Sequence, residues 1–194
     1  MTADDLRAFE RQIAADFEAG KIRAPVHLSG GNENHLIEIF NEIQPDDWVF
    51  STYRNHYHAL LYGLNPIWVH DQILAGKSMF LSYYRFVTSA IVGGMLPIAV
   101  GVAAGIQRRG DAEHAWVFLG DMAATTGIFH EAVQYADGHS LPITFVVEDN
   151  GLSTDTPTAA CWNRPMTLPM SPRVRSYRYE RTWPHVNSGV FVTF

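Results

Sequence analysis

The chain has 194 residues, 47% of them hydrophobic, with 20 acidic against 14 basic side chains and a formal net charge of −6. This length suits a single domain spanning residues 1–194 with a substantial core, and the acidic balance argues against a nucleic-acid-binding surface. Cys161 is the only cysteine, which excludes a disulfide framework. The opening MTADDLRAF contains no secretion signal, so we expect a cytoplasmic protein.

The N-terminal region predicts two helices joined by a turn-rich segment. Residues 2–19 follow an amphipathic pattern, and Thr2 and Asp5 have the spacing of a capping box. Residues 26–33 are rich in turn formers and contain His27, and a second apolar helical pattern follows them. His27 is either a surface histidine at a helix entry or part of a pocket.

Candidate phosphate donors follow the first predicted strand, residues 48–50. Tyr53 and Arg54 come shortly after it, and a tyrosine hydroxyl and a guanidinium fork are good donors to a diphosphate. The alternative is a packed tyrosine beside an exposed arginine. A zinc site at His56 and His58 is disfavoured, because side chains two apart on a helix do not share a face.

Residues 66–75 predict a further helix, and residues 87–106 contain no charged side chain. The length of this charge-free segment and the arginines flanking it fit a membrane-spanning helix. Pro97 and several glycines interrupt the segment, which instead fits a loop followed by a helix buried in a protein core. Both interpretations are open at this point.

The main functional pattern lies within residues 115–152. Residues 116–119 and 143–147 are apolar strand candidates, and the apolar residues between them recur at helical spacing. A right-handed crossover makes the two strands parallel, so Asp121 and Asn150, which follow them, are expected at the carboxyl edge of the sheet. Their oxygens suit a magnesium ion that carries a diphosphate. The alternative is that both residues cap and turn the chain.

The chain beyond residue 158 is less informative. Residues 161–172 predict a loop rich in proline and methionine. Residues 173–180 alternate charged and aromatic side chains like an exposed strand, and residues 189–194 form another β-prone run.

Four separated motifs stand out within roughly residues 24–158. They are HLSGGNE from residue 27, YRNH from residue 53, IVGGMLPIAVG from residue 91, and GD at residues 120–121 with DN at residues 149–150. Together they resemble the alpha subunit of the decarboxylating first component of 2-oxo acid dehydrogenase complexes, which depend on thiamine diphosphate. Met122 stands where this family has glycine, Asp149 where it has asparagine, and Phe80 where it has histidine.

The resemblance implies an α/β fold of the thiamine-diphosphate type, specifically the diphosphate-binding domain, with a mostly parallel sheet and helices on both faces. It implies thiamine diphosphate and Mg²⁺ as cofactors, with Asp121, Asn150 and the Leu152 carbonyl as metal ligands. His27 takes the place of a catalytic histidine in the substrate pocket. The residues expected to contact the cofactor are Tyr53, Arg54, Ala90, Val92, Asp121, Met122, Ala123 and Asn150. For residues 87–106, the resemblance favours a cofactor-binding loop and a buried helix over a membrane span.

The function implied by the resemblance is that of a cofactor-anchoring subunit acting on a small 2-oxo acid. Its expected partner is a beta-type pyrimidine-binding subunit in a heterotetramer, and a lipoyl acyltransferase is a further candidate partner. The chain ends before the family's mobile loop with its active-site histidine, for which His185 is a candidate substitute. Two alternatives are open: one half of a split transketolase-like enzyme, and a non-catalytic subunit that has lost the cofactor.

Overall fold

The computed structural model describes residues 1–186 and 193–194. Most of the β-prone run predicted at residues 189–194 therefore lies outside the described residues. The strands, in chain order, are β1 (Trp48–Ser51), β2 (Phe86–Thr88), β3 (Ala115–Gly120), β4 (Ile143–Asp149), β5 (Leu152–Ser153), β6 (Thr156–Pro157) and β7 (Val174–Arg178). The helices are α1 (Ala3–Glu18), α2 (Glu33–Phe40), α3 (His56–Leu61), α4 (Pro66–Leu74), α5 (Met95–Arg109), α6 (Asp121–Ala124), α7 (Gly127–Gly138) and α8 (Thr158–Trp162).

A parallel sheet is the centre of the fold. Within residues 1–186 and 193–194 it has five strands in the order β2-β1-β3-β4-β7, and every neighbouring pair is parallel. β3 and β4 pair from Ala115 opposite Ile143 to Gly120 opposite Glu148, with α7 in the connection between them. The predicted strand–helix–strand unit is therefore confirmed, as is a strand within residues 173–180, which forms the partly exposed edge strand β7.

Helices cover both faces of the sheet, as predicted. Side chains alternate along β3, so Trp116 and Phe118 enter one core, while Val117 and Leu119 enter the other. The first face is the side of the sheet packed by α1 to α4, and the second face is the side packed by α5 to α7. α1 begins with the predicted capping box, in which Thr2 and Asp5 bond reciprocally to each other's backbone amides.

The charge-free segment 87–106 is divided between several elements. β2 ends at Thr88, a turn follows, and α5 begins only at Met95. No helix in the described part of the chain is long and apolar enough to cross a membrane. The expected loop and helix are both present, but the expectation of a buried helix is wrong in part, since Ile98 of α5 is 50% exposed; Ile91, in the turn before α5, is 73% exposed. One side of α5 packs on the sheet, and Pro97, Ile98 and Gly101 lie on its opposite side.

Candidate active site

A cavity opens at the carboxyl ends of β1, β3 and β4 and beside the loop after β2, where ligands bind in open parallel sheets. Its empty volume, including the open space at its mouth, is about 860 Å³. The cavity brings together every residue predicted to contact the cofactor or metal. These residues are Tyr53, Arg54, Ala90, Val92, Asp121, Met122, Ala123, Asn150 and Leu152.

Asp121 supplies a buried carboxylate at the base of this cavity. It begins α6 directly after β3 and is 2% exposed. Burial raises the pKa of its carboxyl group, while a hydrogen bond from the Thr158 hydroxyl to Oδ2 opposes that rise. A cation bound beside Asp121 would favour the charged carboxylate and offset the cost of burying it.

Asn150 is held rigidly by the turn that follows β4. Its Oδ1 accepts a hydrogen bond from the Leu152 amide at 2.9 Å, and its Nδ2 donates to the Tyr179 hydroxyl at 3.1 Å. The first contact is an Asx turn, so the predicted capping role is present. An amide oxygen has two lone pairs, and one acceptor position of Oδ1 stays available to a metal.

Tyr53 and Arg54 approach the cavity from the loop after β1. The Arg54 guanidinium donates to the Leu28 carbonyl oxygen and lies 3.4 Å from His185 Nδ1. In residues 1–186 and 193–194 it pairs with no carboxylate. The predicted alternative, an exposed arginine, is wrong: Arg54 is half-buried and lines the cavity.

His27 lies behind the cavity wall rather than in it. Its ring stacks on His185 with centroids 4.4 Å apart and meets Tyr53 edge-on. It is 6% exposed, so the predicted alternative of a surface histidine is wrong. The pKa of His27 is lowered to about 3, chiefly by burial and to a lesser extent by the electrostatic effects of His185 and Arg54. A neutral imidazole at this place can accept or donate a hydrogen bond but carries no charge near neutral pH.

Ala90 and Val92 lie in the loop between β2 and α5, and Met122 and Ala123 belong to α6. Val92 is 62% exposed at the cavity mouth. Met122 stands where the resemblance expects glycine, and its Sδ lies 3.6 Å from the Thr125 hydroxyl oxygen. A methionine side chain is unbranched and flexible, so Met122 can adjust to a ligand more readily than a branched residue could.

A buried polar network around Glu148 was missed by the sequence reasoning. Glu148 lines the cavity and accepts hydrogen bonds from the Tyr177 hydroxyl and from Asn32 Nδ2. His58 Nε2 lies 3.4 Å from its second oxygen, and Ser51 Oγ lies 3.0 Å from His58 Nδ1. These residues come from distant parts of the sequence, so no local motif predicts their contact.

The segment from Tyr179 to Val186, which we call the strap, also escaped prediction. It follows β7 and contributes Tyr179 and Arg181 to the cavity wall. The strap packs closely on the loop after residue 29: a Cβ added to Gly31, at φ +91°, would lie 1.9 Å from the Glu180 carbonyl oxygen. Glycine is therefore required at residue 31 for both conformation and space.

The donor set fits a magnesium diphosphate. Asp121, Asn150 and the Leu152 carbonyl would provide the hard oxygen ligands that Mg²⁺ prefers, and phosphate and water would take the remaining positions of an octahedron. Arg54 and Arg181 line the same cavity and supply positive charge for the anion. In the part of the chain that the structure describes, no group of three or more His, Cys, Asp or Glu side chains could hold a metal ion.

Comparison with known proteins extends this picture. The family model described as dehydrogenase E1 component matches residues 1–167. The alpha subunit of acetoin:2,6-dichlorophenolindophenol oxidoreductase from Cupriavidus necator is 31% identical over 163 residues, covering 78% of this chain and 49% of that protein. Pyruvate dehydrogenase E1 component subunit alpha from Zymomonas mobilis is 30% identical over 164 residues, covering 78% and 46%. The chain thus spans about half the length of these curated relatives.

A solved structure of a thiamin diphosphate-dependent enzyme from Mycobacterium smegmatis aligns with 70% of this chain and 23% of its own. The two share 22% identity with a TM-score of 0.45, a similarity too low to bear on function.

Proposed function

Because this chain belongs to the dehydrogenase E1 component family, we propose that it anchors thiamine diphosphate and Mg²⁺ as the alpha-type part of an enzyme that decarboxylates a 2-oxo acid. The observation that carries this proposal is the convergence of the predicted residues on one cavity at the carboxyl edge of the sheet. A cytoplasmic location, and a single domain over residues 1–194, stay predictions from the sequence.

Each side of the cavity has a distinct role in this proposal. Asp121, Asn150 and the Leu152 carbonyl hold the metal, and the Arg54 guanidinium binds the phosphate oxygens. The loop containing Ala90 and Val92 supports the organic ring of the cofactor. When bound, thiamine diphosphate supplies a carbon nucleophile and an electron sink for decarboxylation. The neutral His27 imidazole orients Tyr53 by its edge-on contact instead of touching the substrate directly.

A beta-type subunit completes the site in our proposal, as part of a heterotetramer. Ile91 and Val92 line the cavity mouth and are exposed. Ile98, in the first turn of the following helix α5, is exposed as well. A partner covering these apolar side chains would remove them from water and exclude solvent from the cofactor ring. A lipoyl acyltransferase as acyl acceptor is a finer proposal that rests on the same family membership.

Two substrate classes compete for the proposed enzyme. A small 2-oxo acid follows from the resemblance and matches the name of the Zymomonas mobilis relative, pyruvate dehydrogenase. The relative from Cupriavidus necator is named for acetoin, a hydroxyketone without a carboxylate. Assay of the complex with its partner against pyruvate, other 2-oxo acids and acetoin separates the two classes.

A non-catalytic subunit is the second candidate function. Met122 favours it, because its side chain lines the cavity where a diphosphate needs close approach to the backbone. This candidate predicts that the protein binds neither thiamine diphosphate nor Mg²⁺.

The test is the stabilisation of the protein by thiamine diphosphate with Mg²⁺, on the purified chain and on its complex with a co-expressed partner. A ligand at a hundred times its Kd should stabilise the native state by about 2.7 kcal/mol. Asp121→Ala should abolish this stabilisation, whereas Asp71→Ala, on the exposed surface of α4, should retain it. No stabilisation of the wild type in either form would overturn the proposal. An undiminished effect in Asp121→Ala would remove that residue from the metal site.

A further inference from the structure

Arg181 is the cavity-lining cation that neither the motifs nor the family match includes. It belongs to the strap, beyond residue 167, where the family match ends. Its side chain is 8% exposed and lines the cavity together with Arg54. A guanidinium buried beside a cavity has lost most of its hydration, so it needs oxygen partners in the fold or in a ligand.

The strap and the turn after β4 hold Arg181 in place. Nη1 donates to the Thr154 carbonyl oxygen at 2.8 Å, and Nη2 lies 3.0 Å from Asp155 Oδ1. Thr154 lies two residues after Leu152, whose carbonyl is a proposed metal ligand. Arg181 is therefore hydrogen-bonded to the same loop that would hold the metal. A guanidinium has five N–H donors, and these contacts leave donors for a further acceptor.

Positive charge accumulates on this side of the cavity. Arg54 and Arg181 both lower the pKa of His27 and His185, although burial is the larger cause for each histidine. Asp155 is 47% exposed, so water screens the charge that pairs with Arg181. Arg54 pairs with no carboxylate in the described residues. Asp121 and Glu148 also line the cavity, but in the described residues neither carboxylate forms an ion pair with Arg54 or Arg181, so both guanidinium groups can still bind an anion.

We propose that Arg181 is a second phosphate-binding residue, acting with Arg54 on the diphosphate of the bound cofactor. The inference rests on the proposed function and adds to it a residue from the strap. Guanidinium groups bind phosphate oxygens through paired N–H bonds, and two of them suit a diphosphate better than a monophosphate. The strap would then close the diphosphate end of the cavity.

The experiment measures the affinity of the full chain, with its partner where the complex is needed for binding, for thiamine diphosphate and thiamine monophosphate in Mg²⁺ by calorimetry. Arg181→Gln should weaken diphosphate binding about ten- to hundredfold, the range expected for a lost hydrogen bond to a charged group. The effect on the monophosphate should be smaller, and Arg181→Lys should be intermediate because it keeps the charge without the fork. Arg178→Gln is the matched control, since this side chain is 79% exposed on β7 and should change affinity less than twofold.

Asp155→Ala, which removes the acceptor of Arg181 Nη2, separates ligand binding from loop support. If Arg181 only tethers the turn after β4, this variant should weaken diphosphate binding as much as Arg181→Gln does, and that result would overturn the inference. Diphosphate affinity unchanged in both Arg181 variants would overturn it as well.

If the wild type binds and Arg54→Gln loses binding while Arg181→Gln does not, the proposed function stands and this inference fails. A wild type that binds neither compound rejects the proposed function itself. Circular dichroism of each variant checks that it folds.

Discussion

The two faces of the sheet are built from different chemistry. The core of the second face combines apolar side chains of α5, α6 and α7 with those of the strands, and Asp121 is the buried ionisable group that these helices contribute in the described residues. On the first face, α1 to α3 bury Glu10, Glu33, His56 and His58 among the apolar side chains. One face is a hydrophobic core, and the other is a core with a polar network inside it.

The polar network of the first face leads towards the cavity. Glu10 Oε1 accepts a hydrogen bond from the Ser29 amide at 3.2 Å and lies 3.0 Å from His56 Nδ1. His56 Nε2 in turn lies 2.8 Å from Ser78 Oγ. Ser29 is next to Leu28, whose carbonyl oxygen accepts from Arg54. Buried ionic groups rarely add stability, because desolvation offsets their attraction. We therefore interpret this network as a device that positions the loops of the cavity.

Phe129→Ala, on the second face, should give the largest loss of stability. Phe129 is fully buried and meets Phe145 edge-on at 5.8 Å. Its truncation removes apolar contacts and leaves a cavity, which typically costs about 3–5 kcal/mol. Urea unfolding measures this loss. Affinity for thiamine diphosphate, measured where the variant is folded, should stay within about twofold. A large affinity loss in the folded variant would contradict the division between the two faces.

Glu10→Ala, on the first face, should cost less stability but more affinity. The change leaves the Ser29 amide and His56 without their buried acceptor, at a cost of about 3 kcal/mol. Without the hydrogen bond to Ser29, the backbone at residues 28 and 29 is less well fixed, and the Leu28 carbonyl oxygen no longer holds the Arg54 guanidinium in one position. We therefore expect roughly a tenfold weaker affinity for thiamine diphosphate.

Asp16→Ala is the matched control for Glu10→Ala. Asp16 also lies on α1 and is 2% exposed, but it pairs with Lys21 and His70, away from the cavity. It should lower stability and leave the affinity unchanged. Equal affinity losses in the two variants would mean that α1 acts on the cavity only through general stability.

The sequence could predict β1, β3, β4 and β7, though not β2, together with the residues that act through local motifs. Asp121 and Asn150 each follow an apolar strand, and parallel pairing of neighbouring strands brings such residues to one edge. Arg181 and Glu148 could not be assigned in the same way. Arg181 reaches the cavity because the strap folds back over Gly31, and Glu148 is contacted by Asn32 just before α2, by His58 of α3 and by Tyr177 of β7. Long-range packing of this kind leaves no periodicity or spacing in the sequence.

The start of α5 shows a second limit of prediction. A run without charges from residue 87 to 106 fits a continuous helix, yet β2 takes its first residues and a turn precedes Met95. Phe86 to Thr88 pair with β1 through backbone hydrogen bonds, a tertiary interaction that overrides local propensity. Because the segment is divided into a strand, a turn and a helix, the turn and one side of α5 lie outside the core. Ile91 in the turn and Ile98 on that side of α5 are therefore exposed.

The smallest expected effect is a pH dependence that belongs to the first face. The pKa of His27 is 6.5 in an unfolded chain and about 3 in the fold, chiefly because of burial. Between these values the unfolded chain binds more protons than the native one, so stability falls as the pH drops from 6.5 towards 3. From pH 7 to pH 5 the loss due to His27 is about 2 kcal/mol.

His27→Gln should remove that share of the pH dependence, whatever it does to stability at pH 7. Urea unfolding at pH 7 and pH 5 should show a loss about 2 kcal/mol smaller in this variant than in the wild type. The lowered pKa of His185 and the raised pKa of Asp121 also contribute to the pH dependence, the first in the same sense as His27 and the second in the opposite sense. Both are present in wild type and variant, so the difference between the two proteins reports on His27 together with its stacking contact to His185. His130→Gln, an exposed histidine on α7, should keep the wild-type pH dependence. If His27→Gln keeps it too, His27 is protonated in the fold at pH 5, and the lowered pKa of His27 is excluded.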